Sequence, residues 1–489
     1  AASDVYKRQY LDGLPVLYVS DTPTIAYRVQ GCNVRLGFDL VRAAFWLLSR
    51  REELECQDLD ACGRFPGSQS WLMRHDLAET PVVNLYAALL DRALMAAARF
   101  LDMPVMRMGR WPQGRRYAIA LSHDVDDVGA LDARQGVRLL GRSLTRPSPR
   151  AIARGAYFAL LGLTRSLSNA GAGYWNFEDY MELEAGAGFR SSFYFVPEPD
   201  RVDRDPPYTV DTPHMRDLLA RLRAGGWEVG LHGSFDSYLS ASALRSQRER
   251  LAEASGGPVY GLRQHYLRLQ VPASFRAQAE AGFVYDSSLG YHDGIGFRAG
   301  AAFPFRPFDL SVGQPLPLLE LPLAVMDGSL FWELGLSPGE AAERTLALLE
   351  TVRSTGGLAV LLWHQRVRHE KTYPGWWSVY RQVIEHLCHE AEAWVSTPAE
   401  MARWWLAREG IQLDATDLQG DLRRWCYRAG QDVEGLTLRL TTGAGSTPTI
   451  TVTGVDLECM SAAAGEVKVQ LGNLRAAQSF EVGAVSYTH

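Results

Sequence analysis

The sequence predicts an α/β protein whose main body is a distorted (β/α)7-8 barrel. Three observations predict it. From about residue 115 to about 405, amphipathic helix patterns end at glycine and run at once into short apolar strands. About seven such units in some 290 residues suit a closed barrel better than an open doubly wound sheet. The titratable residues that interrupt the apolar runs gather at their C-terminal ends, where parallel barrels carry their chemistry.

Three regions are expected in chain order. Residues 1–112 read as an N-terminal accessory α/β region. In it "LPVLYVS" reads as a strand, and "GFDLVRAAFWLLSRREE" as an amphipathic helix with Phe38, Val41, Phe45 and Leu48 on one stripe. "GRFPGSQS" is a loop, and "PVVNLYAALLDRALMAAARFL" a second helix with Pro81 near its start. No catalytic constellation stands out there, so a structural or docking role is expected. Residues 113–410 carry the barrel units. "YAIALSHDV" opens them as a strand, and a basic, helix-prone insert is expected over roughly 130–172. "FEDYMELEAGAGFRSSFYFVP", "MRDLLARLRAGGWEVGLHG", "LRSQRERLAEASGGPVYGLRQHY", "PASFRAQAEAGFVYDSS" and "GEAAERTLALLETVRSTGGLAVLLWHQ" then repeat helix, glycine, strand. No glycine-rich phosphate fingerprint opens any of these helices, which weighs against a dinucleotide fold. Residues 411–489 are rich in Thr and Val with glycine-containing turns, and read as a small β-rich segment, truncated at its end.

The composition narrows the function classes. Of 489 residues, 47% are hydrophobic and 22% charged, which is ordinary for a globular chain. The net charge of −6 shows no basic surplus of the kind that marks nucleic-acid binding. No apolar run reaches the ~18 residues of a membrane span. The six cysteines are scattered and form no CxxC pair, which favours a reducing, cytoplasmic compartment over a disulfide scaffold. The opening "AASDVYKRQ" and closing "VSYTH" read as translated adapter sequence, so the native N-terminus is expected to be missing.

The stretch "AIALSHDVDDV" carries the chemistry. Strand side chains alternate faces, so Asp124 and Asp126 share one face while His123 and Val125 share the other. Two carboxylates on one face repel unless something positive lies between them or one is protonated. A divalent metal resolves this, with one Asp as ligand and the other as base. His232, Arg263, His265, Asp286 and His364 fall at the ends of other strands and would reach the same rim. His123 is expected to face the helix layer and hydrogen-bond there. His292 lies on a loop near the rim, and the remaining histidines are read as surface or capping residues.

"LSHDVDD", "GLHGSFDSY", "GLRQHYLR", "YDSSLGY" and "LLWH" follow one another in an order and spacing that resembles the polysaccharide deacetylases, the NodB-homology domain of carbohydrate esterase family four. The resemblance covers roughly residues 115–405, and "FDLVRAAFWLLSRREE … GRFP" resembles the region ahead of some bacterial members. It implies a distorted (β/α) barrel and metal-dependent removal of acetyl groups from N-acetylated sugars of a bacterial polysaccharide or glycan. It implies Asp124 as catalytic base, Asp126 and His232 as metal ligands, Arg263 orienting the base, His364 as catalytic acid and Asp286 steering that acid. Zinc is the first expectation for the metal. Two departures stand out. The family's adjacent Asp-Asp is here Asp-x-Asp, and the second histidine of its HxxxH is Asp236. One helical turn would bring Asp236 back to His232, or His265 would supply an imidazole from the neighbouring strand, or neither would ligate. Tyr238, Tyr266, Tyr291 and Trp363 are expected to stack on sugar rings or to pack. Two other readings stay open: a non-catalytic carbohydrate-binding or scaffolding protein on a degenerate barrel, and another C–N hydrolase acting on a small amide.

Overall fold

The structure, a computed structural model, describes residues 9–11, 13–17, 26–56, 58–128, 174–201, 203–419, 422–442, 448–463 and 465–485, with four isolated positions between 129 and 173. The expected helix-prone insert and the extreme ends of the chain therefore lie outside the described residues.

The main sheet is parallel throughout. In chain order its first five strands are Tyr117–Val125, Ser192–Phe195, Glu228–Gly233, Gly261–Gln264 and Tyr285–Asp286. The sixth is a run in two halves, Leu319–Glu320 and Leu323–Met326, and the seventh is Leu358–Leu362. The sixth run closes the sheet. Its first half pairs with the fifth strand and its second half with the seventh, which lies beside the first. Between the halves, the Leu321 N–H donates to Asp286 O at 2.9 Å and the Val360 N–H to Pro322 O at 2.9 Å. An eighth strand, Ala393–Ser396, pairs with the N-terminal half of the first. This is the (β/α)7-8 barrel that the repeating units predict.

The helices begin and end where side-chain chemistry allows. Thr212 and Ser240 cap the helices Pro213–Ala224 and Ala241–Ser255, each accepting from a backbone N–H in the first turn. Ser337–Glu340 and Thr397–Glu400 form full capping boxes, each with proline at the first helical position. Gly256 and Gly356 end their helices at φ 68° and 63°, a conformation that favours glycine.

Alternation along the strands sorts the two faces. Ile119, Leu121, Phe193, Phe195, Val229 and Leu231 pack outward against the helices. Ala118, Ala120, Tyr194, Tyr285, Leu358, Val360 and Leu362 fill the barrel's interior. Two glycines make that filling possible. A Cβ on Gly261 would meet the Tyr285 ring at 1.9 Å, and one on Gly230 the Tyr194 ring at 2.5 Å. The two tyrosines meet through their hydroxyls at 2.8 Å and form a floor under the polar rim.

The N-terminal region packs on the barrel's outer core through Trp46, Leu47, Trp71, Tyr86 and Leu89. Its first helix differs from the expected one. Asp39 caps it, it runs Leu40–Leu48, and the chain then breaks at Arg50 with φ 50°. The buried stripe is Leu40, Ala43, Trp46 and Leu47, whereas Val41 and Phe45 point outward. The break buries Arg50, whose guanidinium pairs with Glu52 at 2.6 Å and Glu53 at 2.8 Å. Glu53 also pairs with Arg298 of the barrel at 2.7 Å. The C-terminal region is β-rich, as its composition predicts. One four-stranded antiparallel sheet joins Ile411–Gln419, Leu422–Ala429, Ser479–Val485 and Thr449–Thr453. A second joins Leu457–Ala463, Glu466–Leu471, Thr437–Thr441 and the early strand Val105–Met108. Among the described residues, no helix is long and apolar enough to cross a membrane.

Candidate metal centre and active site

The first barrel strand delivers Asp124 and Asp126 to the interior face because Ala118, Ala120 and Ser122 precede them in the same register. Asp124 is 2% exposed and accepts from Arg263 Nη1 at 2.9 Å. Arg263 is itself fixed. Its Nε donates to Ser287 O at 2.9 Å, and its guanidinium lies 4.6 Å from the centre of the Tyr194 ring. Burial opposes its charge, yet the Asp124 carboxylate holds its pKa above the ordinary value.

Asp126 meets two histidines from neighbouring strands. His232 ends the third strand in register with Arg263. His265 follows the fourth strand in a tight turn in which Tyr266 and Leu267 have φ of 62° and 52°. His232 Nε2 lies 3.4 Å and His265 Nε2 3.5 Å from Asp126 Oδ1. Both Nδ1 atoms are already engaged, by Arg263 O at 2.9 Å and by Asp205 Oδ1 at 3.1 Å. The Nδ1 atoms thus hold the ring protons, and the Nε2 lone pairs face the carboxylate. Asp126 Oδ1 is buried without a hydrogen-bond partner. One ligand atom from each of the three residues lies within 4.8 Å of the others. Two neutral imidazoles and a carboxylate around an unsatisfied oxygen fit a divalent cation. Burial opposes charge on both rings: Asp124 and Asp126 nevertheless push the His232 pKa up, whereas burial keeps that of His265 below the ordinary value.

His364 follows the seventh strand by two residues, on the other side of Asp126. Its Nε2 lies 3.2 Å from Asp126 Oδ2. Its Nδ1 donates to Asp327 Oδ1 at 2.7 Å and its backbone N–H to Asp327 Oδ2 at 2.7 Å. Against the effect of burial, Asp327 and Asp126 push its pKa up to about 10. Burial alone would raise Asp126, but Arg366 and His364 hold it well below the usual carboxylate range.

Two expected site residues stand elsewhere. Asp236 is no neighbour of the Asp126 cluster. Past Gly233 the chain enters a turn instead of a helix, and Asp236 points to Arg268 at 2.7 Å and Arg201 at 3.4 Å with its side chain 48% exposed. Asp286 does not touch His364. The fifth strand has only two residues and Tyr285 takes the interior position, so Asp286 faces away and accepts from Ser288 Oγ at 2.6 Å beside Glu320. Asp327 stands where Asp286 was expected.

The aromatic expectations divide. Tyr266 borders the cavity. Tyr238 is half-buried under the Arg268 guanidinium, 4.1 Å from its ring centre. Tyr291 is buried and bonded to Ser70 at 2.8 Å, and Trp363 is wholly buried with its indole N–H on Trp376 O, so neither can receive a sugar. His123 faces the helix layer, bonded to Glu184 at 2.7 Å.

These groups border a cavity of about 400 Å³. Its wall also holds Cys62 and Arg64 from the N-terminal region, with Arg204, Asp205, His292, Trp332 and Arg366. None of these but His292 stood out in the sequence. Asp327 directly follows the strand Leu323–Met326 and so falls at a strand end like the other site residues, but the loop residues carry no periodic signal.

A family model of unknown function (DUF7033) matches residues 3–98. Comparison with curated protein sequences finds no match. Among solved structures, Puue allantoinase is 15% identical over 62% of this chain and 94% of its own, with a TM-score of 0.42. A probable polysaccharide deacetylase from Pseudomonas aeruginosa PAO1 is 14% identical over 61% and 94%, also at 0.42. A family-four pseudoenzyme from Bacillus anthracis is 8% identical over 59% and 66%, at 0.29.

Proposed function

We propose that the chain is a metal-dependent hydrolase that removes acetyl groups from N-acetylated sugars of a glycan. The observation that carries this reading is the buried, unpartnered Asp126 Oδ1 facing two imidazole Nε2 atoms. Asp126, His232 and His265 would hold the cation, with zinc favoured by the mixed imidazole–carboxylate set. A bound cation supplies Lewis acidity toward water and the acetyl carbonyl. Asp124, oriented by Arg263, takes a proton from water as it adds to the carbonyl carbon. His364, held protonated by Asp327, gives its proton to the departing nitrogen. The base and the acid flank Asp126 from different strands, which leaves the cavity between them for the acetamide.

The test is acetate release from N-acetylhexosamine oligosaccharides. Activity should vanish on chelation, return with zinc, and be absent in Asp126→Ala. Full activity in Asp126→Ala would rule the reading out. A carbohydrate-binding role would show sugar binding without acetate under every metal condition.

A further inference from the structure

Three guanidinium groups that the proposed chemistry does not use border the cavity, and two of them, Arg366 and Arg204, are weakly paired among the described residues. Arg366 is largely buried, 19% exposed, and its only ion pair among the described residues is with Asp126 Oδ2 at 3.3 Å. Its Nε is buried without a hydrogen-bond partner. Asp126 is the same carboxylate that His364 and the candidate cation share. A guanidinium stays charged at any ordinary pH, so it needs an anion or water. Arg204 also borders the cavity. Among the described residues its one ion pair, to Asp203 at 3.7 Å, is shared with Arg201, and its Nη1 donates to Cys62 Sγ at 3.9 Å. The other wall groups are already satisfied or solvated. Arg64 pairs with Asp60 at 2.7 Å and donates to Tyr266 O at 3.1 Å. Asp205 accepts four hydrogen bonds, from His265 and the backbone N–H groups of Asp200, Arg201 and Phe235. Glu333 is exposed.

We propose that the sugar this site accepts carries an anionic substituent, a carboxylate or a phosphate, bound by Arg366 and Arg204. This rests on the acetyl-removing reading for the reacting group and adds the substrate class. The planar guanidinium fork matches both anions, and a charge-assisted pair inside a partly closed cavity is stronger than one at the surface. An anion beside Arg366 would also offset the crowding of positive charge on Asp126, which Arg366 shares with His364 and the candidate cation.

Ligand-observed NMR titration of the purified protein with glucuronate, glucose 1-phosphate and glucose tests this without any turnover. One or both anionic sugars should bind more tightly than glucose, and the tighter of the two identifies the carboxylate or the phosphate. Arg204→Gln and Arg366→Gln should each weaken that binding by about tenfold, with partial recovery in Arg366→Lys. Arg204 touches none of the three candidate metal ligands, so its variant separates anion binding from damage to the metal centre. Equal binding of all three sugars, or Arg204→Gln and Arg366→Gln both within about twofold of the parent protein, would overturn the proposal. Anionic binding in a protein that releases no acetate would uphold the anion site and refute the hydrolase reading, so the two fail separately.

Discussion

Asp327→Asn probes the pairing that holds His364, the proposed catalytic acid. Asp327 receives both the ring Nδ1–H and the backbone N–H of His364, each at 2.7 Å, and Asp327 is fully buried. Asparagine keeps the volume and one acceptor oxygen but turns an NH2 toward the second donor. The loss of one charge-assisted bond is about 1.5–3 kcal/mol. If that bond acts only while His364 carries its proton toward the leaving nitrogen, kcat should fall by about 10- to 150-fold. KM and bound metal should stay near the parent values, since Asp327 touches none of the three candidate ligands. Initial-rate acetate release with metal analysis of the same preparation reads both. A kcat within about twofold of the parent would refute the role of Asp327. Loss of metal together with activity would show that Asp327 supports the centre instead of the acid.

Three further outcomes follow from the geometry. Burial tends to raise the Glu184 pKa, but His123, Ser191 and Trp227 hold it below the ordinary value. Its contribution to stability is therefore present above the unfolded pKa of about 4.3 and lost as pH falls through the folded value. Glu184→Gln should show a flatter decline of thermal stability below about pH 4.3, and an unchanged slope there would count against the network. Glu53→Gln strips the carboxylate shared by buried Arg50 and Arg298, which should cost about 3–5 kcal/mol. Chemical denaturation and proteolysis of the N-terminal region check it, and a change under about 1 kcal/mol would contradict the docking account. Asp286→Asn should leave kcat within about threefold of the parent, because Asp286 faces away from His364. A loss as large as that of Asp327→Asn would return Asp286 to the acid.

Much of the site was legible in the strands and little of it in the loops. Period-two alternation places Asp124 and Asp126 on one face and His123 on the other, and this required no knowledge of the rest of the chain. The strand-end rule located His232, Arg263 and His364 by the same logic. Asp236 misled because residue spacing fixes proximity only if the backbone continues as a helix, and the chain turns after Gly233 instead. Asp286 misled because a two-residue strand leaves its facing to its partner Tyr285. Asp205 and Cys62 reach the cavity through loop closure and docking across long sequence separation, for which no local pattern exists, while Arg366 sits in the short turn just past His364, beyond the strand pattern. The barrel itself was legible from the helix–glycine–strand repeat. The run "LLELPLAVM" reads as one further strand, but its division at Leu321–Pro322 into halves that pair with the fifth and the seventh strand, and so close the sheet, was not legible.

The central claim is that Asp126, His232 and His265 hold one cation. Metal content measured by mass spectrometry after zinc loading and desalting tests it on the parent, His265→Ala and Asp236→Ala proteins. The account predicts about one equivalent in the parent and in Asp236→Ala, and far less in His265→Ala. A parent protein that retains no metal, or an Asp236→Ala variant that loses it while His265→Ala keeps it, would contradict the account.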